Sequence, residues 1–207
     1  MEYNELPYII YAEETPNPST MKFVSNKMLL TTGASAEYLS AADTQDAPLA
    51  KSLFSFPFIK NVFISSNYIS ITKNDSVLWE DVQTEIRNHL TNYLNKGNSI
   101  VNKLPAQEVA CDNTFTKTIS VNTQHASPKN EIETKIIEIL EQYIRPAVEQ
   151  DGGLITFKEY KEGTVTVQMR GACSGCPSST MTLKSGIEGL LKHLMPNDVK
   201  EVVSEAI

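Results

Sequence analysis

Apolar positions in the first hundred residues fall into short runs with two different periods. Pro7 to Ala12 and Met21 to Ser25 predict two strands. The stretch between them, EETPNPST, carries two prolines and an asparagine, which bar regular structure and fix a turn-rich loop. In APLAKSLFSF (Ala47 to Phe56), Leu49, Leu53 and Phe56 recur at helical spacing until Pro57 stops the helix. KNVFIS and YISITK then predict a hairpin joined by Ser66-Asn67. From Trp79 onward Val82, Ile86, Leu90 and Leu94 repeat every four residues, an amphipathic helix ending near Gly97. The order β-β-α-β-β-α predicts a small α+β domain over residues 1–97.

Between residues 98 and 130 the pattern fades into Asn, Thr, Ser, Gln and Lys, as expected of a polar linker, although TKTISV has the composition of a short strand. A fully flexible segment of this length would have an r.m.s. reach of roughly 30 Å. Periodicity returns over residues 131–207. Ile132, Ile136, Ile139/Leu140, Tyr143 and Ala147 trace a helical stripe capped by Asn130, with Pro146 expected to kink it and Asp151-Gly152-Gly153 to end it. Leu154 to Tyr160 and Thr164 to Arg170 predict two strands around a tight KEG turn. Leu183, Ile187, Leu190/Leu191 and Leu194 predict a last helix, and VKEVVSEAI leaves room for a third strand. The expected architecture is therefore α+β in two small domains joined by a polar linker, the second built α-β-β-α plus that optional strand.

Composition narrows the function classes. Hydrophobic residues make up 41% and charged residues 21% of 207, near ordinary globular usage. No apolar run approaches the roughly 18 residues of a membrane span, and a net charge of −7 argues against nucleic acid as the main partner. The N-terminal MEYNELPYIIYAEE has acidic residues where a signal peptide carries Lys or Arg, and no Arg/Ser-rich presequence. Together with an odd count of three cysteines, this predicts a cytoplasmic protein, or one already processed.

The candidate chemistry lies in RGACSGCPSSTM, Arg170 to Met181. A strand ends at Arg170, Gly171-Ala172 turns the chain, and Pro177 suits the first position of a helix. Cys173 and Cys176 thus fall in a loop of small residues at a helix N-terminus, where the dipole is expected to stabilise thiolates and lower their pKa. A dithiol oxidoreductase, a zinc site and an iron–sulfur cluster would all use such a pair, but the last two need about four ligands. Cys111 lies alone in the linker, and His89, His125 and His193 are scattered, so they read as surface or packing residues. Any metal held by Cys173 and Cys176 would need ligands from another molecule, most simply a second copy of the chain. Met169, Met181 and Met195 read as core filler.

IRPAVEQDGG followed by a hairpin and GACSGCPSSTMTLKSGIEGLL resembles the C-terminal domain of NifU-like proteins, the Nfu family of iron–sulfur scaffolds. EETPNPSTMKF, PLAKSLF and VFISSNYISITK resemble the Nfu N-terminal domain. The resemblance implies a carrier rather than an enzyme, without catalytic residues. It implies a [4Fe–4S] cluster held between two protomers by Cys173 and Cys176 of each, with [2Fe–2S] forms as a transient alternative. It further implies a homodimer on cluster binding, upstream cluster assembly proteins as donors and apo iron–sulfur proteins as recipients. The N-terminal domain is expected to recognise partners.

Overall fold

The computed structural model describes residues 6–31, 33–104, 125–174 and 177–206. The chain divides into two compact units, residues 1–105 and 106–207. Each lays helices on a sheet, the α+β arrangement predicted. In the first unit, strands β1 (Ile10–Glu14), β2 (Thr20–Ser25), β3 (Ser35–Tyr38), β4 (Ile59–Ser65) and β5 (Tyr68–Lys73) form one sheet in the order β1-β2-β5-β4-β3. All its pairings are antiparallel. Strand β3 adds to the predicted order: SAEY is four residues long and has no β-branched run, so its composition hid it.

Period-two alternation explains which side of this sheet packs. Met21 and Phe23 stand opposite Ile71 and Ile69, which in turn stand opposite Val62 and Ile64. These residues share one core with Leu49, Ala50 and Leu53 of α1 (Pro48–Leu53) and with the stripe of α2 (Trp79–Asn95). The predicted stripe Val82, Ile86, Leu90 and Leu94 is buried throughout, and full burial of each such side chain contributes roughly 1.5–3 kcal/mol. Helix α1 ends before Phe56, whose ring instead meets His89 of α2 edge-on at 5.2 Å. His89 Nε2 lies 3.0 Å from Ser52 Oγ, so this histidine ties the two helices together.

In the second unit a helical run covers α3 (Glu131–Ile139), a π-turn (Leu140–Ile144) and α4 (Arg145–Gln150). Asn130 caps it as predicted, its Oδ1 accepting from Glu133 N–H at 2.8 Å. The π-turn is the form taken by the expected kink. Pro146 has no N–H to donate to Gln142 C=O and its ring clashes with that carbonyl, so the helix widens by one residue. Strands β6 (Gly153–Lys161) and β7 (Thr164–Gly171) form an antiparallel hairpin around Glu162-Gly163, followed by α5 (Pro177–Leu194). Residues 201–206 form the third strand, β8 (Glu201–Ala206), parallel to β7 at the sheet's edge. Ile136, Leu140, Ile155, Val165, Val167, Ile187, Leu191 and Val202 make the core. Met169 and Met195 belong to it, but Met181 is 70% exposed, contrary to its reading as core filler.

His125 falls in the segment expected to be linker, yet its side chain is 2% exposed. Its Nδ1 accepts Phe157 N–H of β6 at 2.7 Å, which places the ring proton on Nε2, the donor to Glu141 Oε1 at 2.6 Å. Ala126 N–H donates to Phe157 C=O at 2.9 Å, so this short segment clasps the outer edge of β6. Arg145 completes the cluster, bonding Glu141 through Nη1 at 2.5 Å and Glu149 through Nε at 2.8 Å. No helix among the described residues is long and apolar enough to cross a membrane.

Candidate thiol site

The site is built where the β6–β7 hairpin meets the loop before α5. Gly153 and Gly171 face each other in the ladder at the point where β7 gives way to the cysteine loop. Gly171 has a φ of 65°, a left-handed conformation that favours glycine, and it turns the chain out of the strand. Ser174 closes this turn, donating to Gly171 C=O from its N–H at 3.1 Å and from its hydroxyl at 2.9 Å. Ala172 N–H donates to Gly152 C=O at 3.2 Å, which fastens the loop to the Asp151–Gly153 turn. The DGG run therefore both ends the helix, through Gly152 at φ 81°, and supports the cysteine loop.

Cys173 turns inward. It is 6% exposed and packs in the core with Met169, Ile187 and Leu191. Its sulfur lies over the bare Cα of Gly153: a methyl there would sit 2.5 Å from Sγ and 2.9 Å from Arg170 O. Burial, reinforced by the negative charge of Asp151, pushes the thiol up to about 12. This corrects the expectation of a lowered pKa at Cys173. The helix field fades within the first turn, whereas loss of water acts on the whole buried sulfur. Cys176, Cys111 and the TKTISV segment lie outside the described residues. Sequence reasoning missed the closeness of Gly153 to Cys173. The signal was present in the double glycine, whose second member opens a strand, where glycine marks close approach of another group.

Two family models match this chain. Residues 10–97 match one described as scaffold protein Nfu/NifU N terminal, and residues 136–203 match the NifU-like domain. A NifU-like protein of Schizosaccharomyces pombe is 32% identical over 94% of this chain and 71% of its own length. The chain belongs to the Nfu/NifU family. Other relatives of this Nfu/NifU protein include NifU-like protein 4, mitochondrial, of Arabidopsis thaliana, 36% identical over 95% of the chain and 65% of the relative. The NFU1 iron-sulfur cluster scaffold homolog, mitochondrial, of Drosophila willistoni is 33% identical over 95% of the chain and 64% of the relative. The chain thus spans about two thirds of the length of these relatives. The names of the plant and insect relatives point to mitochondria and overturn the cytoplasmic expectation. That expectation rested on the composition of fourteen residues and on an odd cysteine count, neither of which decides a compartment.

Proposed function

We propose that this Nfu/NifU protein is an iron–sulfur cluster scaffold and carrier, binding a [4Fe–4S] cluster between two protomers through Cys173 and Cys176 of each. The observation that carries this reading is the sequence Cys173-Ser-Gly-Cys176 between the end of β7 and the start of α5, inside the segment that matches the NifU-like domain. Three cysteines in the whole chain fall short of the four thiolates a cluster usually takes, and only two of them are close in sequence. A second copy supplies the missing pair, and the cluster is cargo rather than a resident cofactor. Cargo shared at a seam leaves by ligand exchange: an apo iron–sulfur protein replaces one chain's thiolates, then the other's, and the dimer separates. Such transfer needs no catalytic residue. A linker joins a partner-recognition domain to the cluster domain; it is shorter than the expected 98–130, because Asn102 bonds the first unit and His125 and Ala126 bond β6 of the second.

Anaerobic reconstitution with iron and sulfide tests this. The expected product is a brown dimer with about four irons per two chains. Cys173→Ser and Cys176→Ser should each abolish it, and Cys111→Ser should leave it intact. Zinc at the pair, or a Cys173–Cys176 disulfide that turns over a dithiol substrate, would overturn it in favour of a zinc-bridged dimer or a thiol–disulfide oxidoreductase.

A further inference from the structure

A cluster ligand has to reach iron, yet the Cys173 sulfur is turned away from solvent. Its seat is specific. The Asp151–Gly153 turn is bonded to the loop through Gly152 C=O and Ala172 N–H, and Gly153 presents no side chain to the sulfur. A methyl at this position would stand 2.5 Å from Sγ and 3.1 Å from Cys173 Cβ, both inside contact distance. Glycine at the start of a strand costs backbone entropy and gives no packing of its own. At Gly153 the missing Cβ has a use, which is the space the sulfur occupies.

We propose that Gly153 forms the floor of a seat in which the unloaded chain stores the Cys173 sulfur, and that loading begins when this side chain swings out. The inference rests on Cys173 being a cluster ligand. A sulfur enclosed by its own core cannot also bond iron shared with a second chain, so the stored and loaded positions are alternatives. Gly153 is a positioning residue: it touches no cargo and acts through Cys173, the nearest atom to a methyl placed there, with Arg170 O next at 2.9 Å. The stored position shields the ligand from oxidants and stray soft metals until cargo arrives, since reactivity of a thiol follows its access.

The test uses the full chain, reduced and free of metal. Iodoacetamide is added and alkylation of Cys173 is followed by peptide mass spectrometry, in native buffer and in concentrated urea. Native Cys173 should react at least about tenfold more slowly than in urea, the ratio expected where the exposed position is a minor state. Gly153→Ala should raise the native rate about tenfold, because overpacking the seat shifts that balance outward. Val165→Ala is the control: Val165 is fully buried in β7, so its loss weakens the same sheet while leaving the seat intact, and the rate at Cys173 should stay near that of the parent chain. Equal native and unfolded rates would overturn the proposal, and they decide the matter even if Gly153→Ala fails to fold. So would a Gly153→Ala rate equal to the parent's, or an equal rise in Val165→Ala. No arm contains iron. A shielded Cys173 with failed reconstitution would refute cluster binding, and the loading step with it, while leaving the seat, and an unshielded Cys173 with successful reconstitution would refute the seat alone.

Discussion

Replacing Arg145 with methionine keeps most of the stem's bulk and removes the guanidinium that joins two carboxylates. The Arg145 side chain is 14% exposed, against 27% for Glu141 and 35% for Glu149. The bond to Glu141, at 2.5 Å and largely screened from water, belongs near the low end of the range for bonds to charged groups, about 1.5 kcal/mol. The more exposed bond to Glu149 is an i,i+4 pair worth about 0.5 kcal/mol. Arg145→Met should therefore cost about 2 kcal/mol and lower the urea midpoint of the second unit by roughly 1–2 M. Trp79, the chain's one tryptophan, lies in the first unit, so its fluorescence is blind to this change. Hydrogen exchange of peptides from β6 and α3 across a urea series reads the right unit. The loss should also depend on pH. Burial pushes the Glu141 carboxyl up, but hydrogen bonds from His125 and Arg145 outweigh it and hold the group below its usual range. A depressed carboxylate stabilises the fold above its unfolded value of about 4.3 and loses that contribution as pH falls through the folded value. The gap between parent and variant should thus narrow below about pH 4. A cost under about 0.5 kcal/mol at pH 7, the scale of a surface pair, or a gap unchanged on acidification, would refute this account.

Tyr38 is 2% exposed, and its hydroxyl has no hydrogen-bond partner among the described residues. Tyr38→Phe should raise the first unit's stability by about 1 kcal/mol, seen by Trp79 fluorescence in urea. Burial, aided by Asp46, pushes the Tyr38 phenol up to about 12. Its contribution to pH dependence is intact below the unfolded value of about 10 and lost as pH rises toward the folded one, so the variant should lose less stability in alkali than the parent. Leu53 is fully buried between α1 and the sheet, and Leu53→Ala should cost about 2–5 kcal/mol in the same assay.

How much of this was legible in the sequence depended on whether a feature is local. The stripe of α2 and the Asn130 cap follow from neighbours within a few residues, and the chain spells them out. Pro146 announced a disturbance, but its missing N–H and its ring do not by themselves say whether a helix widens by a residue, bends or stops. Strand β3 has little strand composition and exists because β4 offers it an edge. Cys173 shows the limit most clearly. Its loop reads as small residues at a helix N-terminus that would favour a thiolate, because the glycine that receives its sulfur lies twenty residues earlier and the contact arises from the β6–β7 register. His125 was illegible for the same reason: its partners lie 16 and 32 residues downstream.

The clasp at His125 has a practical consequence for anyone who trims this protein to its cysteine-bearing half. A fragment cut at Glu131, where the helix starts, would keep every strand and both cysteines of the pair. It would also lose the ring that accepts Phe157 N–H and donates to Glu141, leaving that N–H without its acceptor, Glu141 with Arg145 alone, and the edge of β6 bare. Such a piece is expected to be less stable and more prone to strand-edge aggregation than the intact half. Poor iron loading by that fragment would then report the missing six residues rather than any defect in its thiols. Starting the fragment upstream of His125 avoids the artefact.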